Sequence, residues 1–339
     1  MSRSRLDFEK KIGEVEAQIQ EIRDLKHQAE IQGESPEQLA RLEGLILDLE
    51  HDLRGVMVTT YSNLSRWDKT RMARHELRPY SLDYARLMCE DFTELHGDRL
   101  FGDDGAIVGG LARLGGRSVL LVGHQKGRDA KERVRRNFGS AKPEGYRKAL
   151  RLMKMAEKLG RPIVCLVDTP AADASPDAEE RGISTAIAEN SRDMSLLGVP
   201  VIVVVIGEGG SGGAIGLGVG DRVLMLEHSV YSVIPPEGCA AIIWRDKGRG
   251  VDAAECLKLT AQDALSFGVV DEVLPEPLGG AHRDYEAAAS AVREAVLRHL
   301  LEVESLGPEE MLEQRYQRFR RQGVYFDSLL EDQAGSGVG

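Results

Sequence analysis

Between Val199 and Gly220 an apolar run, Val-Pro-Val-Ile-Val-Val-Val-Ile, passes directly into Gly-Glu-Gly-Gly-Ser-Gly-Gly-Ala and on to further small residues. That order builds a site from backbone. Glycines let the chain turn sharply and bare its N–H groups, and a following helix start adds unpaired donors and a positive dipole end. The chemistry it suits is the holding of an oxyanion or a phosphoryl oxygen. Three templates fit. Gly207-Glu208-Gly209-Gly210-Ser211-Gly212 satisfies G-x-G-x-x-G, but it lies two-thirds along the chain. A dinucleotide fold places that motif in its first βαβ unit, with an acid some 20 residues on, and Glu227 stands near that spacing. Gly209-Gly210-Ser211-Gly212-Gly213 satisfies the nucleophile elbow, with Asp271 and His282 following in triad order, although a loop hydrogen bond explains His282 as well. The third template needs no side-chain nucleophile: paired backbone N–H groups hold an oxyanion, worth about 2.7–4 kcal/mol per donor. Enolate-forming enzymes that act on thioesters use it.

The elements that must position this stretch are readable from periodicity. Apolar runs at 119–122, 163–167, 201–206, 223–226 and 230–234 are expected strands. Residues 146–159 and 184–197 are expected helices, each ending at a glycine followed within two residues by proline. Strand alternating with helix argues a layered α/β domain. Residues 286–301 and 309–321 continue the helical pattern, and the glycine-rich residues 332–339 are expected to be disordered. At the other end, Ile12, Val15, Ile19, Ile22 and Leu25 form one stripe, Gly33 breaks it, and Ser35-Pro36-Glu37-Gln38 restarts a helix with a capping box. Leu39, Leu42, Ile46, Leu49 and Leu53 continue it, giving a helical hairpin that docks on the body or on another subunit.

Composition narrows the function classes. The chain has 339 residues, 42% hydrophobic and 5% aromatic, with a net charge of −11 that disfavours non-specific nucleic-acid binding. Cys89, Cys165, Cys239 and Cys256 are far apart without a C-x-x-C pair, so no metal site is expected, and a cytoplasmic, reducing setting is. The longest near-apolar run, 199–206, is far short of the about 20 residues of a membrane span.

Further blocks surround the glycine stretch in a fixed order: Arg78-Pro-Tyr-Ser-Leu-Asp-Tyr84, Asp103-Asp-Gly-Ala-Ile-Val-Gly-Gly-Leu-Ala-Arg113, Gly123-His-Gln-Lys-Gly-Arg128, Arg135-Arg-Asn-Phe-Gly139 and Pro143-Glu-Gly-Tyr-Arg-Lys-Ala-Leu-Arg-Leu-Met153. Glu179-Glu-Arg-Gly182, Pro236-Glu-Gly-Cys239 and Pro275-Glu-Pro-Leu-Gly-Gly-Ala-His-Arg283 complete the set. Together they resemble the carboxyltransferase alpha-subunit family of bacterial and plastid acetyl-CoA carboxylases, from the N-terminal helices to about residue 320. The resemblance implies a crotonase-like (ClpP/crotonase) ββα spiral with an N-terminal helical hairpin. It divides the chain into a hairpin at 1–54, a carboxyltransferase domain at 55–305, and a C-terminal helix and tail at 306–339. The implied reaction moves the carboxyl group of carboxybiotin, borne by a biotin carboxyl carrier protein, to acetyl-CoA, giving malonyl-CoA for fatty-acid synthesis. The implied partners are a zinc-containing beta subunit in an α2β2 heterotetramer, which holds most of the acyl-CoA pocket, and biotin carboxylase within an ATP-binding, nucleotide-binding complex.

By the same resemblance, Gly209, Gly210, Gly212, Gly213 and Ala214 are expected as biotin-side oxyanion donors. Backbone donors in a water-poor cleft stabilise both a ureido oxygen and an enolate without a titrating side chain. The biotin N1 nitrogen is the implied base for the acetyl methyl group. Lys126, Arg128, Arg135 and Arg136 are candidates for the CoA phosphates, or a solvated helix face with Asp129 and Glu132. One departure bears on this. Where the family reads Thr-Pro-Gly-Ala-Tyr-Pro-Gly, this chain reads Thr169-Pro-Ala-Ala-Asp-Ala-Ser-Pro176, and alanine forced to positive φ would cost about 1 kcal/mol or more. Pro235, where the family commonly has serine, is a smaller change. Two other readings therefore stay open: a non-catalytic or regulatory paralogue that assembles with a beta subunit, and a serine hydrolase using Ser211.

Overall fold

The structure, a computed structural model, describes residues 5–323. Residues 332–339, expected to be disordered, lie outside the described residues. Eight strands form one sheet: β1 (Asp91–Glu94), β2 (Ile107–Leu114), β3 (Arg117–His124), β4 (Ile163–Thr169), β5 (Val201–Gly210), β6 (Arg222–Leu226), β7 (Val230–Ser232) and β8 (Glu272–Leu274). Their order is β1-β2-β3-β4-β5-β6-β8, with β7 pairing the far end of β5. The first three are antiparallel, and pairing from β3 onward is parallel.

Alternation along the strands explains why they read as unbroken apolar runs. Ile163, Cys165, Val167, Val201, Val203 and Val205 face one layer, where the helices Pro143–Lys158 and Ile183–Leu196 pack. Val164, Leu166, Ile202, Val204 and Ile206 face the other, beneath the helices Ser81–Met88 and Tyr285–Glu304. A parallel sheet covered on both faces has no polar side. The five expected strands correspond to β3–β7. β1, β2 and β8 carried no such signal: Asp91–Glu94 is polar, β8 is three residues long, and β2 is diluted by Gly109 and Gly110. Gly110 is there for space, since a Cβ on it would fall 2.0 Å from the Thr93 carbonyl oxygen.

The N-terminal helices are Lys10–Gln32 and Pro36–Ser62, separated by Gly33 at φ +72°. The capping box forms as the sequence suggests: Gln38 N–H donates to Ser35 Oγ at 3.3 Å, and Ser35 N–H to Gln38 Oε1 at 3.2 Å. The hairpin docks on its own chain through Ile12, Met57, Tyr61 and Met72, and through Arg283, which donates to Glu16 at 2.6 Å. Ser35→Ala is expected to cost about 1 kcal/mol. Hydrogen exchange should show faster opening at the hairpin tip, with protection of the sheet unchanged; an unaltered tip would count against the cap. The helix Pro308–Arg320 is held by buried Arg315, which donates to Asp221 at 2.8 Å and to the Met194, Leu197 and Val199 carbonyls.

Candidate functional site

The glycine stretch begins inside the sheet. β5 does not end at Ile206. Glu208, Gly209 and Gly210 pair with Val230, Tyr231 and Ser232 of β7, and Gly209 also faces Thr169 of β4 across a register shift between Val167 and Thr169. A single helical turn, Ser211–Ile215, follows. The residue that takes the left-handed conformation is Ser211, at φ +51°; every glycine from Gly207 to Gly213 has negative φ. These glycines therefore serve close approach, and mostly by the protein's own chain. An added Cβ would lie 2.4 Å from Asp168 Oδ1 at Gly207, 2.5 Å from the Tyr231 ring at Gly209, 2.0 Å from Pro170 O at Gly210 and 2.6 Å from Ala172 N at Gly213. At Gly212 it would meet Ile187 Cδ1 at an ordinary 3.5 Å.

The five expected donors thus sit in different settings. Gly209 and Gly210 belong to the sheet. Gly212 and Gly213 lie in the first turn of the short helix, where N–H groups have no intrahelical acceptor, whereas the Ala214 N–H is in register with the carbonyl of the N-cap residue, Gly210. Gly213 and Ala214 are buried, while Gly212 is half-buried beside Ser211.

A cluster of charges stands directly behind this turn. Asp168 Oδ1 accepts the Glu208 N–H at 2.9 Å, replacing a ladder bond at the register shift. Lys126, just beyond β3, contacts Asp168 at 2.7 Å and Glu208 at 2.8 Å. Arg74 donates to Glu208 at 2.8 Å and to Glu237 at 2.6 Å. Burial works against the ammonium, yet the Asp168 and Glu208 carboxylates outweigh it and hold Lys126 above the usual lysine range. Burial likewise raises Glu208, but Lys126 and Arg74 outweigh it and keep it ionised. Burial and the neighbouring Lys126 push His124 down to about 3, so it is neutral. Nothing in the sequence pattern singles out Arg74, Asp168 or Glu208. The available signal is an acid closing each of two apolar strands, at 168 and 208.

The basic candidates do not converge. Lys126 is taken up by Asp168 and Glu208. Arg128 donates to the Arg78 carbonyl at 2.7 Å, pairs with Asp83 and lies 4.0 Å over the Tyr80 ring. Arg136 is buried and donates to Gly105 O at 3.0 Å. Arg135 alone of the four has an exposed head, 66% accessible, with Glu132 at 3.8 Å.

The altered loop is unstrained. No residue from 171 to 178 has positive φ. Thr169 Oγ1 lies 2.7 Å from both the Gly139 and Ala171 carbonyls, Asp173 N–H donates to Ala141 O at 2.9 Å, and Ser175 caps the turn Pro176–Glu180. The expected penalty for alanine does not arise.

Geometry removes the nucleophile-elbow and dinucleotide templates. Asp271 accepts the Val223 N–H at 2.6 Å, and Val223 lies level with Val203, eight residues before Ser211 on β5. At about 3.3 Å per residue that separates Asp271 from Ser211 by roughly 25 Å. His282 stacks on His75 at 3.9 Å, and burial with His75 beside it pushes it down to about 3. Ser211, His282 and Asp271 therefore do not form a triad. The dinucleotide template lacks its phosphate-binding helix, because only the turn Ser211–Ile215 follows the glycines.

A family model described as acetyl co-enzyme A carboxylase carboxyltransferase-like matches residues 5–323. A protein of Geobacter metallireducens named acetyl-coenzyme A carboxylase carboxyl transferase subunit alpha is 54% identical over 320 residues, 94% of this chain and 98% of its own. Among solved structures, a Pseudomonas malonate decarboxylase hetero-tetramer in complex with coenzyme A superposes with a TM-score of 0.55 at 19% identity, over 75% of this chain and 98% of that one. Transcarboxylase 12S, with methylmalonyl-coenzyme A bound, gives 0.51 at 21% identity, over 73% and 43%. At those identities the likeness concerns the fold: a crotonase-like α/β architecture, here preceded by helices.

Proposed function

The chain belongs to the acetyl co-enzyme A carboxylase carboxyltransferase family, and from that premise we propose that it serves as the alpha subunit of the carboxyltransferase, moving the carboxyl group of carrier-borne carboxybiotin to acetyl-CoA to give malonyl-CoA. The observation that carries this reading is the end-to-end match, 54% identity across 94% of the chain, to a protein named as that subunit. Biotin, on a separate carrier, supplies the carboxyl group and the base for the acetyl methyl proton.

What this chain contributes is positioning and charge stabilisation. We place the oxyanion donors in the first turn after β5: the Gly212 amide at the accessible edge, with Gly213 and Ala214 behind it and Gly209 and Gly210 fixing the approach. Such donors need no titrating side chain, which agrees with neutral His124 and His282. A phosphate contact with CoA falls to Arg135. The zinc-containing beta subunit is placed against Val233, Ile242 and Ile243, which are 73%, 73% and 60% exposed around the helix Pro236–Trp244. An α2β2 assembly, a biotin carboxyl carrier protein, and a biotin carboxylase that handles ATP complete the proposal. A cytoplasmic location belongs to it as well; among the described residues no helix is long and apolar enough to cross a membrane.

Co-expression with a beta subunit, followed by malonyl-CoA-dependent carboxylation of free biotin, tests this. Turnover is expected; an intact complex without turnover would identify a non-catalytic paralogue. In the same assay Ser211→Ala should stay within a few-fold of wild type, because Ser211 is a turn residue. Loss of a true serine nucleophile costs roughly a million-fold.

A further inference from the structure

Four charges stand behind the glycine turn, and neither the oxyanion donors nor the CoA contact proposed above uses them. Lys126, Asp168, Glu208 and Arg74 join the ends of β3, β4 and β5 to the helix Arg66–Ala73, with side chains 15%, 2%, 12% and 30% exposed. Glu208 and Arg74 also line the cleft that Gly209 and Gly210 line. Within the four, charges balance. Without Lys126, Asp168 would lose the cation paired with it and Glu208 would keep only Arg74, which Glu237 shares, beside a site whose work is to accept negative charge.

We infer that Lys126 is a positioning residue for carboxyl transfer, which neutralises Asp168 and Glu208 and so keeps a repulsive carboxylate away from the charge that builds at the Gly212 turn. This rests on the carboxyltransferase reading above. The other groups facing the cluster are Glu237 on Arg74, neutral His124, and Tyr80, Tyr84 and Arg78 across from Asp168. Of these only Arg78 is a further cation near Asp168, and it is engaged bidentately by Glu276. A buried acid that loses its cation rises in pKa. Protonation then restores neutrality.

The test uses the complex with its beta subunit. Lys126→Met should lower kcat about thirtyfold, the order expected of one uncompensated charge within the cleft, with KM for the acyl-CoA changed by less than about threefold. Its activity relative to wild type should climb as the pH is lowered from 8 to 6. Lys126→Met/Glu208→Gln, which rebalances the charges, should regain most of the lost kcat at pH 7.5. If Lys126→Met fails to assemble, a double variant that assembles and turns over gives the same support. A double variant no better than the single one, or a ratio to wild type that stays flat with pH, would overturn the inference and leave Lys126 a packing element. A wild-type complex without turnover would instead overturn the functional reading, and this inference with it.

Discussion

Gly210→Ala is expected to abolish carboxyl transfer and to destabilise the fold by about 3 kcal/mol. The added methyl carbon would fall 2.0 Å from the Pro170 carbonyl oxygen, 2.3 Å from its carbon and 2.7 Å from the Thr169 carbonyl oxygen. All three are backbone atoms and cannot swing aside like a side chain. Relief requires β5 and the segment after β4 to separate, which moves the turn bearing Gly212. Gly212→Ala is the control, since its methyl carbon meets only Ile187 Cδ1, at 3.5 Å; it should fold as wild type. Thermal unfolding of both variants, with turnover in the complex, decides the matter. A Gly210→Ala protein melting with wild type would show that the segment after β4 yields freely, and close approach would no longer explain the glycines.

Arg78→Ala should be comparably severe, about 3–5 kcal/mol, because it strands a carboxylate in the interior. Arg78 and Glu276 are 1% and 0% exposed, joined at 2.7 and 2.8 Å, and Arg78 also donates to Ile206 O at 2.9 Å. Burial pushes Glu276 up, yet the Arg78 guanidinium outweighs it and brings the carboxyl down to about 2 from 4.5. A folded value below the unfolded one contributes stability that is present above pH about 4.5 and fades as the pH falls toward 2. Denaturant unfolding at pH 7 and pH 3 should therefore show the gap between wild type and Arg78→Ala narrowing in acid. A gap that is constant with pH would mean that lost packing, rather than the ion pair, sets the cost.

How much of this was legible in the sequence depended on range. The capping box at Ser35 and Gln38 is complete within four residues, so reading and structure agree. The strands from β3 to β7 were legible as apolar runs, whereas β1 and β8, at the sheet's rims, offered no run to see, and Gly109 and Gly110 dilute β2. The glycine stretch gave its place but not its internal roles. Those depend on Asp168, Pro170, Ala172 and Tyr231, which reach it only through tertiary packing. Lys126 invited a phosphate reading for the same reason: among neighbouring arginines it looks like part of a basic run, and its partner Glu208 lies 82 residues on. The loop from 171 to 178 looks strained only when its alanines are set against a family pattern of glycines. Its backbone avoids positive φ altogether.

The glycine stretch also limits where its sequence can vary. Gly207, Gly209, Gly210 and Gly213 are each backed by the protein's own atoms, and of these five glycines only Gly212 has room for a methyl carbon. Variation along the turn is thereby funnelled to one position: a small side chain at 212 leaves its surroundings in place, whereas one at any of the other four must first displace its neighbours.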